Sequence, residues 1–189
     1  MTTTPTTVIN LFGGSGVGKS TVAALLFARM KILGLHVELV REYVKLWAWS
    51  GRQVRKEDQI YLLGKQSAYE SMLYGKVDYI VTDSPILLAG VYAEWHNGLD
   101  GQYVTLAANS FIEQAKATGG VRVENYILER GVGPSKFDTR GRWESEEQAK
   151  GMDVFLRECL EHHSHPTFSV GGDEEQKVRA ILSHLGINT

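Results

Sequence analysis

The sequence predicts an α/β fold, one parallel five-stranded sheet covered by helices on both faces. Three observations predict it. Short apolar runs alternate with helical patterns through the whole chain, the rhythm of a parallel sheet with crossover helices. The stretch GGSGVGKST, Gly13 to Thr21, lies between the first apolar run and the first helical pattern, the strand-loop-helix setting of a phosphate-binding loop. The 189 residues are 43% hydrophobic and 22% charged, which suits one globular domain, 1–189, with room for a small lid.

Residues 1–7, MTTTPTT, lack the charged and apolar regions of a signal peptide and read as a short flexible arm. Val8 to Phe12 is the first strand, and Val22 to Leu33 carries the first helical pattern, stopped by Gly34. Val37 to Val40 is the second strand, ending in Arg41-Glu42-Tyr43, with an aromatic segment, Val44 to Trp49, after it. A helix follows from Lys56 to Leu73. Tyr79 to Asp83 is the third strand, which Ser84-Pro85 turns. Helices then run from Ile86 to Trp95 and from Tyr103 to Ala117, about a turn at Asn97-Gly98. Arg122 to Leu128 is the fourth strand, and residues 131–143 form an exposed loop rich in glycine and charge. Ser145-Glu146-Glu147-Gln148 signals a capped helix start, as does the stretch from Asp173 to Gln176. Between those two helices Thr167 to Val170 is the fifth strand.

The motif G-x-x-x-x-G-K-[ST] has a physical reading. Gly13, Gly14, Gly16 and Gly18 let the backbone turn tightly and bring N–H groups close to phosphate oxygens, with Ser15 and Val17 completing the loop. Lys19 is placed to reach the β- and γ-phosphates and the Ser20 hydroxyl to sit on Mg²⁺. Thr21 is expected to begin the helix, whose N-terminus favours an anion. ATP and Mg²⁺ are the expected cofactors.

Ligands of such sheets bind at the carboxyl ends of the strands. That rule gathers the loop from Gly13 to Ser20, Arg41-Glu42, Asp83-Ser84 and the loop after Leu128, where Arg130 is a further candidate to meet the phosphates. Phosphoryl transfer to a hydroxyl needs one carboxylate to take or orient the proton and another on the metal side. Glu42 suits the first role and Asp83 the second. The plainer alternatives are an Arg41–Glu42 ion pair and a helix cap at Asp83. The loop 131–143 holds Lys136, Arg140 and Arg142, and an arginine closing over the phosphates would stabilise the transferring group.

These residues resemble the nucleoside kinases of the P-loop kinase fold, over Val8 to about Leu185. Arg41-Glu42-Tyr43-Val44 is similar to the same stretch of nicotinamide riboside kinases. Glu42, Val44 and Trp47 resemble the glutamate, valine and tryptophan of deoxyribonucleoside kinases, where the glutamate is the base. Asp83-Ser84 resembles their acid-arginine-serine motif, but no arginine precedes Ser84 and Pro85 follows it. Phe137-Asp138 through Gly141-Arg142 resembles small phage-type P-loop ATPases and nucleotide kinases. The resemblance implies a P-loop kinase type of sheet with a small lid, and a helix glutamine that reads the base. Gln59 and Gln66, seven apart and so on one helical face, are the candidates, with Trp47, Trp49 and Tyr69 available for stacking.

The net charge of −2 gives no global basic field, and a single cysteine, Cys159, forms no intrachain disulfide and suits a reducing cytoplasm. No apolar run is long enough to span a bilayer. His162, His163 and His165 diverge at a helix end with no acid at ligand spacing, a poor metal cluster. A homodimer stays open. So do three functions. The first is an ATP- and Mg²⁺-dependent kinase acting on a hydroxyl of a nucleoside, nucleotide or nucleobase. The second is the same chemistry on a hydroxymethylated pyrimidine within phage-type DNA, with Arg41, Lys45, Arg52, Arg55, Lys56 and Lys65 as the phosphate contacts. The third is a nucleotide-binding switch or ATPase.

Overall fold

Asn10 and Asn125 share a hydrogen bond across the middle of the sheet, at 2.9 Å, and mark its centre. The strands are β1 (Thr6–Phe12), β2 (Val37–Val40), β3 (Tyr79–Thr82), β4 (Val121–Leu128) and β5 (Phe168–Val170). In this computed structural model, which describes residues 5–118, 120–131, 137, 140 and 143–188, they pair in the order β2-β3-β1-β4-β5. Every pairing is parallel, with Thr7 opposite Tyr79 and Val8 opposite Val123. The helices are α1 (Lys19–Ile32), α2 (Lys45–Trp49), α3 (Asp58–Ser71), α4 (Ile86–Asn97), α5 (Gln102–Ala117), α6 (Glu146–His162) and α7 (Glu174–His184).

The period of two along each strand divides the core. Ile9, Leu11, Tyr126 and Leu128 face α1 and α7, packing on Val22, Leu26, Met30, Val178 and Ile181. Phe12 and Ile127 face the other way, into α4, α5 and α6. Both faces are covered, which is why β1 reads as an unbroken apolar run rather than an alternating one.

Thr6 and Thr7, read as part of the arm, belong to β1. Thr6 is fully buried in β1, its hydroxyl donating to the Val77 carbonyl at 2.7 Å and accepting from the Gly75 amide at 2.9 Å. The first helix begins at Lys19 rather than Thr21, because Gly18 takes the capping position at φ +97°, which a side chain rarely adopts. The aromatic segment after β2 forms the short helix α2. Both capping boxes are present, Ser145 with Gln148 and Asp173 with Gln176. Cys159 is buried in α6, and burial pushes its thiol up to about 12. Among the described residues no helix is long and apolar enough to cross a membrane.

Candidate nucleotide and acceptor site

β1 lies beside β3, so the loop after β1 and the acid after β3 meet at one edge of the sheet. Gly13 (φ +146°), Gly16 (+80°) and Gly18 (+97°) give the loop its turns. Gly14 is needed for space. A Cβ there would stand 2.3 Å from the Ala149 carbonyl oxygen and 2.9 Å from an Asp153 oxygen. The Gly14 amide donates to Asp153 Oδ1 at 2.6 Å, and Asp153 is ion-paired to Arg130. Arg130 Nη2 also donates to the carbonyls of Ser15 (2.9 Å) and Ala149 (3.0 Å). Arg130 thus fastens the loop to α6. From the opposite side the buried Lys177 of α7 points its amine at the Val17 carbonyl, 3.5 Å away.

Lys19 Nζ donates to the carbonyls of Gly13 (2.6 Å) and Gly14 (3.1 Å). Its stem keeps some exposure, but its charged end is enclosed. Burial lowers the pKa of this amine, while Glu42, Asp83, Glu144 and Asp153 pull it back up. Glu42 is the converse case. Burial raises its pKa, Lys19 lowers it, and the like charges of Asp83 and Glu144 raise it further. Lys19, Glu42, Asp83 and Glu144 therefore form one electrostatic cluster. The Glu42 backbone N–H donates to Asp83 Oδ1 at 3.0 Å and ties the ends of β2 and β3 together. Asp83 is 5% exposed and does not cap α4, whose N-cap is Pro85. The described ion pairs include none between Arg41 and Glu42, and Arg41 is exposed.

A cleft opens beside Glu42. Tyr43, Gln59, Gln66, Ser84 and Tyr92 line it with Glu42, and its cavity volume is about 50 Å³. Gln59 and Gln66 thus stand side by side on α3, and Gln66 Nε2 also donates to Thr82 Oγ1 at 3.3 Å. Trp47 stays outside the lining. Its ring stacks on Tyr61, centroids 5.9 Å apart, and the Arg52 guanidinium lies 3.4 Å over it. Arg140 is exposed, while Arg142 and Lys136 lie outside the described residues. The Asp83 and Glu144 carboxylates at this corner, with the Ser20 hydroxyl next in sequence to Lys19, are oxygen donors of the type that a hard cation such as Mg²⁺ takes.

Three groups here escaped the sequence reading. Tyr92 lines the cleft, and burial, with the charges of Glu144 and Glu42, holds its phenol well above the usual range. Glu144 has a buried oxygen, Oε2, with no partner among the described residues. Asp153 holds the loop. Tyr92 sits in a mostly apolar helix, and Glu144 precedes the α6 cap, so neither spacing nor composition singles them out.

A parallel sheet with a P-loop after its central strand, flanked by helices on both faces, defines a P-loop α/β fold. Residues 8–177 match the AAA domain family, and the chain belongs to it. Deoxyadenosine kinase from M. mycoides shares the fold. That structure, solved with dCMP and dCDP, has a TM-score of 0.60 at 19% identity, over 95% of this chain and 98% of that one. The same enzyme with dATP bound gives 0.60 at 20% identity, over 94% and 98%. Thymidylate kinase from Ehrlichia chaffeensis gives 0.59 at 15% identity, over 97% and 100%. No curated protein is significantly similar in sequence.

Proposed function

We propose that the protein is a kinase that moves the γ-phosphate of ATP, with Mg²⁺, to a hydroxyl of a nucleoside, nucleotide or nucleobase. The observation that carries this reading is the placement of Glu42, tied by its backbone N–H to Asp83 beside the P-loop, in the lining of the cleft that Gln59 and Gln66 share. In this reading Lys19 leaves the Gly13 and Gly14 carbonyls for phosphate oxygens. Glu42 takes the proton of the acceptor hydroxyl as its oxygen bonds to phosphorus and the bond to the ADP oxygen breaks. Burial makes Glu42 a stronger base than a solvated carboxylate, which favours that transfer. Ser20 and Asp83 would hold Mg²⁺, which neutralises phosphate charge. Arg140 and Arg142 are the proposed lid arginines, and the amide groups of Gln59 and Gln66 the proposed readers of a base edge.

A small acceptor is favoured over a DNA base. Of the cations a strand would need, Arg52 is paired with Asp58 at 3.1 Å and stacked on Trp47, and Lys56 is paired with Asp100 at 3.4 Å. The test is a labelled γ-phosphate assay against nucleosides, nucleotides and hydroxymethylated DNA. Label on a free nucleoside or nucleotide is expected. Lys19→Ala should abolish it, and Glu42→Gln should cut turnover about 10²- to 10⁴-fold with ATP affinity unchanged. ATP hydrolysis that no acceptor stimulates would overturn the proposal in favour of a switch.

A further inference from the structure

At the carboxyl ends of α4 and α6, away from the P-loop, three side chains of metal-binding type meet. Glu94 offers a carboxylate, Cys159 a thiol and His163 an imidazole, with their ligand atoms all within 4.8 Å of one another. Cys159 and His163 are four apart, so successive turns of α6 present them on one face. Glu94 arrives from α4, with an oxygen 3.0 Å from His163 Nε2. The acid that meets His163 is thus supplied from 69 residues away. The three are enclosed, with Cys159 6% exposed and the side chains of Glu94 and His163 at 11% and 15%.

We propose that Glu94, Cys159 and His163 bind one zinc-type divalent ion. Nitrogen, sulfur and carboxylate oxygen are the donors that Zn²⁺ takes, and three protein ligands leave the fourth tetrahedral position to water. A cavity of about 250 Å³ reaches one of the three, His163, with His165, Asn109 and Asn125 also in its lining. The Thr105 hydroxyl donates to the same Glu94 carboxylate and so orients it, the part an outer-shell partner plays. Both helix ends carry partial negative charge, which favours a cation there. The ion would staple α4 to α6, the helices that carry Tyr92 and Asp153.

The full chain, stripped with chelator, is titrated with Zn²⁺ against a chromophoric chelator and separately with Co²⁺. One Zn²⁺ per chain is expected, with a higher thermal midpoint and, for cobalt, tetrahedral bands plus a thiolate charge-transfer band. Cys159→Ala should remove that band and weaken binding at least 100-fold. Thr105→Val, which keeps all three ligands, should weaken it about 10- to 100-fold. Absence of stoichiometric binding, a cobalt spectrum without the thiolate band, or unchanged affinity in Cys159→Ala would overturn the site. The spectrum of the unsubstituted protein decides the matter even if the cysteine variant fails to fold.

Discussion

A carboxyl group shut away from water holds its proton to higher pH than a solvated one, and Glu70 is such a group. It is 3% exposed, accepts a 2.6 Å hydrogen bond from the Tyr74 hydroxyl on one oxygen, and has no partner for the other among the described residues. Burial pushes its pKa to about 7, against the pull of the Tyr74 bond. The folded state therefore holds a proton that the unfolded chain gives up near its ordinary carboxylate value. Stability contributed by Glu70 is lost as pH rises from about 4.5 to about 7, by ~3 kcal/mol at most. Urea midpoints at pH 5 and pH 8 should differ less in Glu70→Gln than in the unsubstituted protein; equal differences would refute this. Glu42 should show its raised pKa in kinetics. As a base it must be ionised, so turnover should climb with pH through a value above the usual carboxylate range, and Glu42→Gln should lose that limb of the profile.

At the scale of elements, α6 does more than cover the sheet. Its N-terminus is capped by Ser145, directly after Glu144, and two turns on Asp153 holds the Gly14 amide and Arg130. Asp153→Ala strands a largely enclosed guanidinium and frees the loop, so unfolding free energy should fall by about 1–3 kcal/mol, with weaker ATP binding. Gly14→Ala should act similarly, because the backbone oxygen of Ala149 at 2.3 Å cannot swing aside as a side-chain tip would. Denaturant titration and ATP binding measured on both variants would expose the error if either behaves like the parent. The caps were legible in the sequence because Ser145 and Gln148, or Asp173 and Gln176, speak across three residues. The Gly14–Asp153 bond spans 139 residues, and no local pattern announces it.

For the whole molecule, the alternation of strands and helices and the loop from Gly13 to Thr21 were enough to give the sheet and its binding edge. They did not give the cleft. Which residues line it depends on how α3 and α4 lean together, and Trp47, eligible by type, was drawn instead onto Tyr61 and Arg52. A cavity of about 50 Å³ has room for a few waters, so a base-sized acceptor would need these helices to move apart. Binding of ATP should tighten the fold as a whole. At 100 times its dissociation constant a ligand adds about 2.7 kcal/mol, which for a domain of this size raises the thermal midpoint by roughly 5–10 °C. Thermal scans with and without Mg-ATP should show that rise in the parent and not in Lys19→Ala.

The central place of β1 has a consequence for biogenesis. This strand is near the start of the chain, yet its two neighbours, β3 and β4, begin at Tyr79 and Val121. During synthesis Ile9 and Leu11 leave the ribosome long before either edge of their strand can be closed. Loops of about 70 and 115 residues must be closed before the middle of the sheet exists, which makes for slow, non-local folding. Nascent chains arrested after Thr118 would have β1 paired on one side only, with a bare apolar edge on the other, and should be caught by chaperones or aggregate. Chains extended past Val170 should escape both fates, and pulse-labelled synthesis with staged arrest would show where the changeover falls.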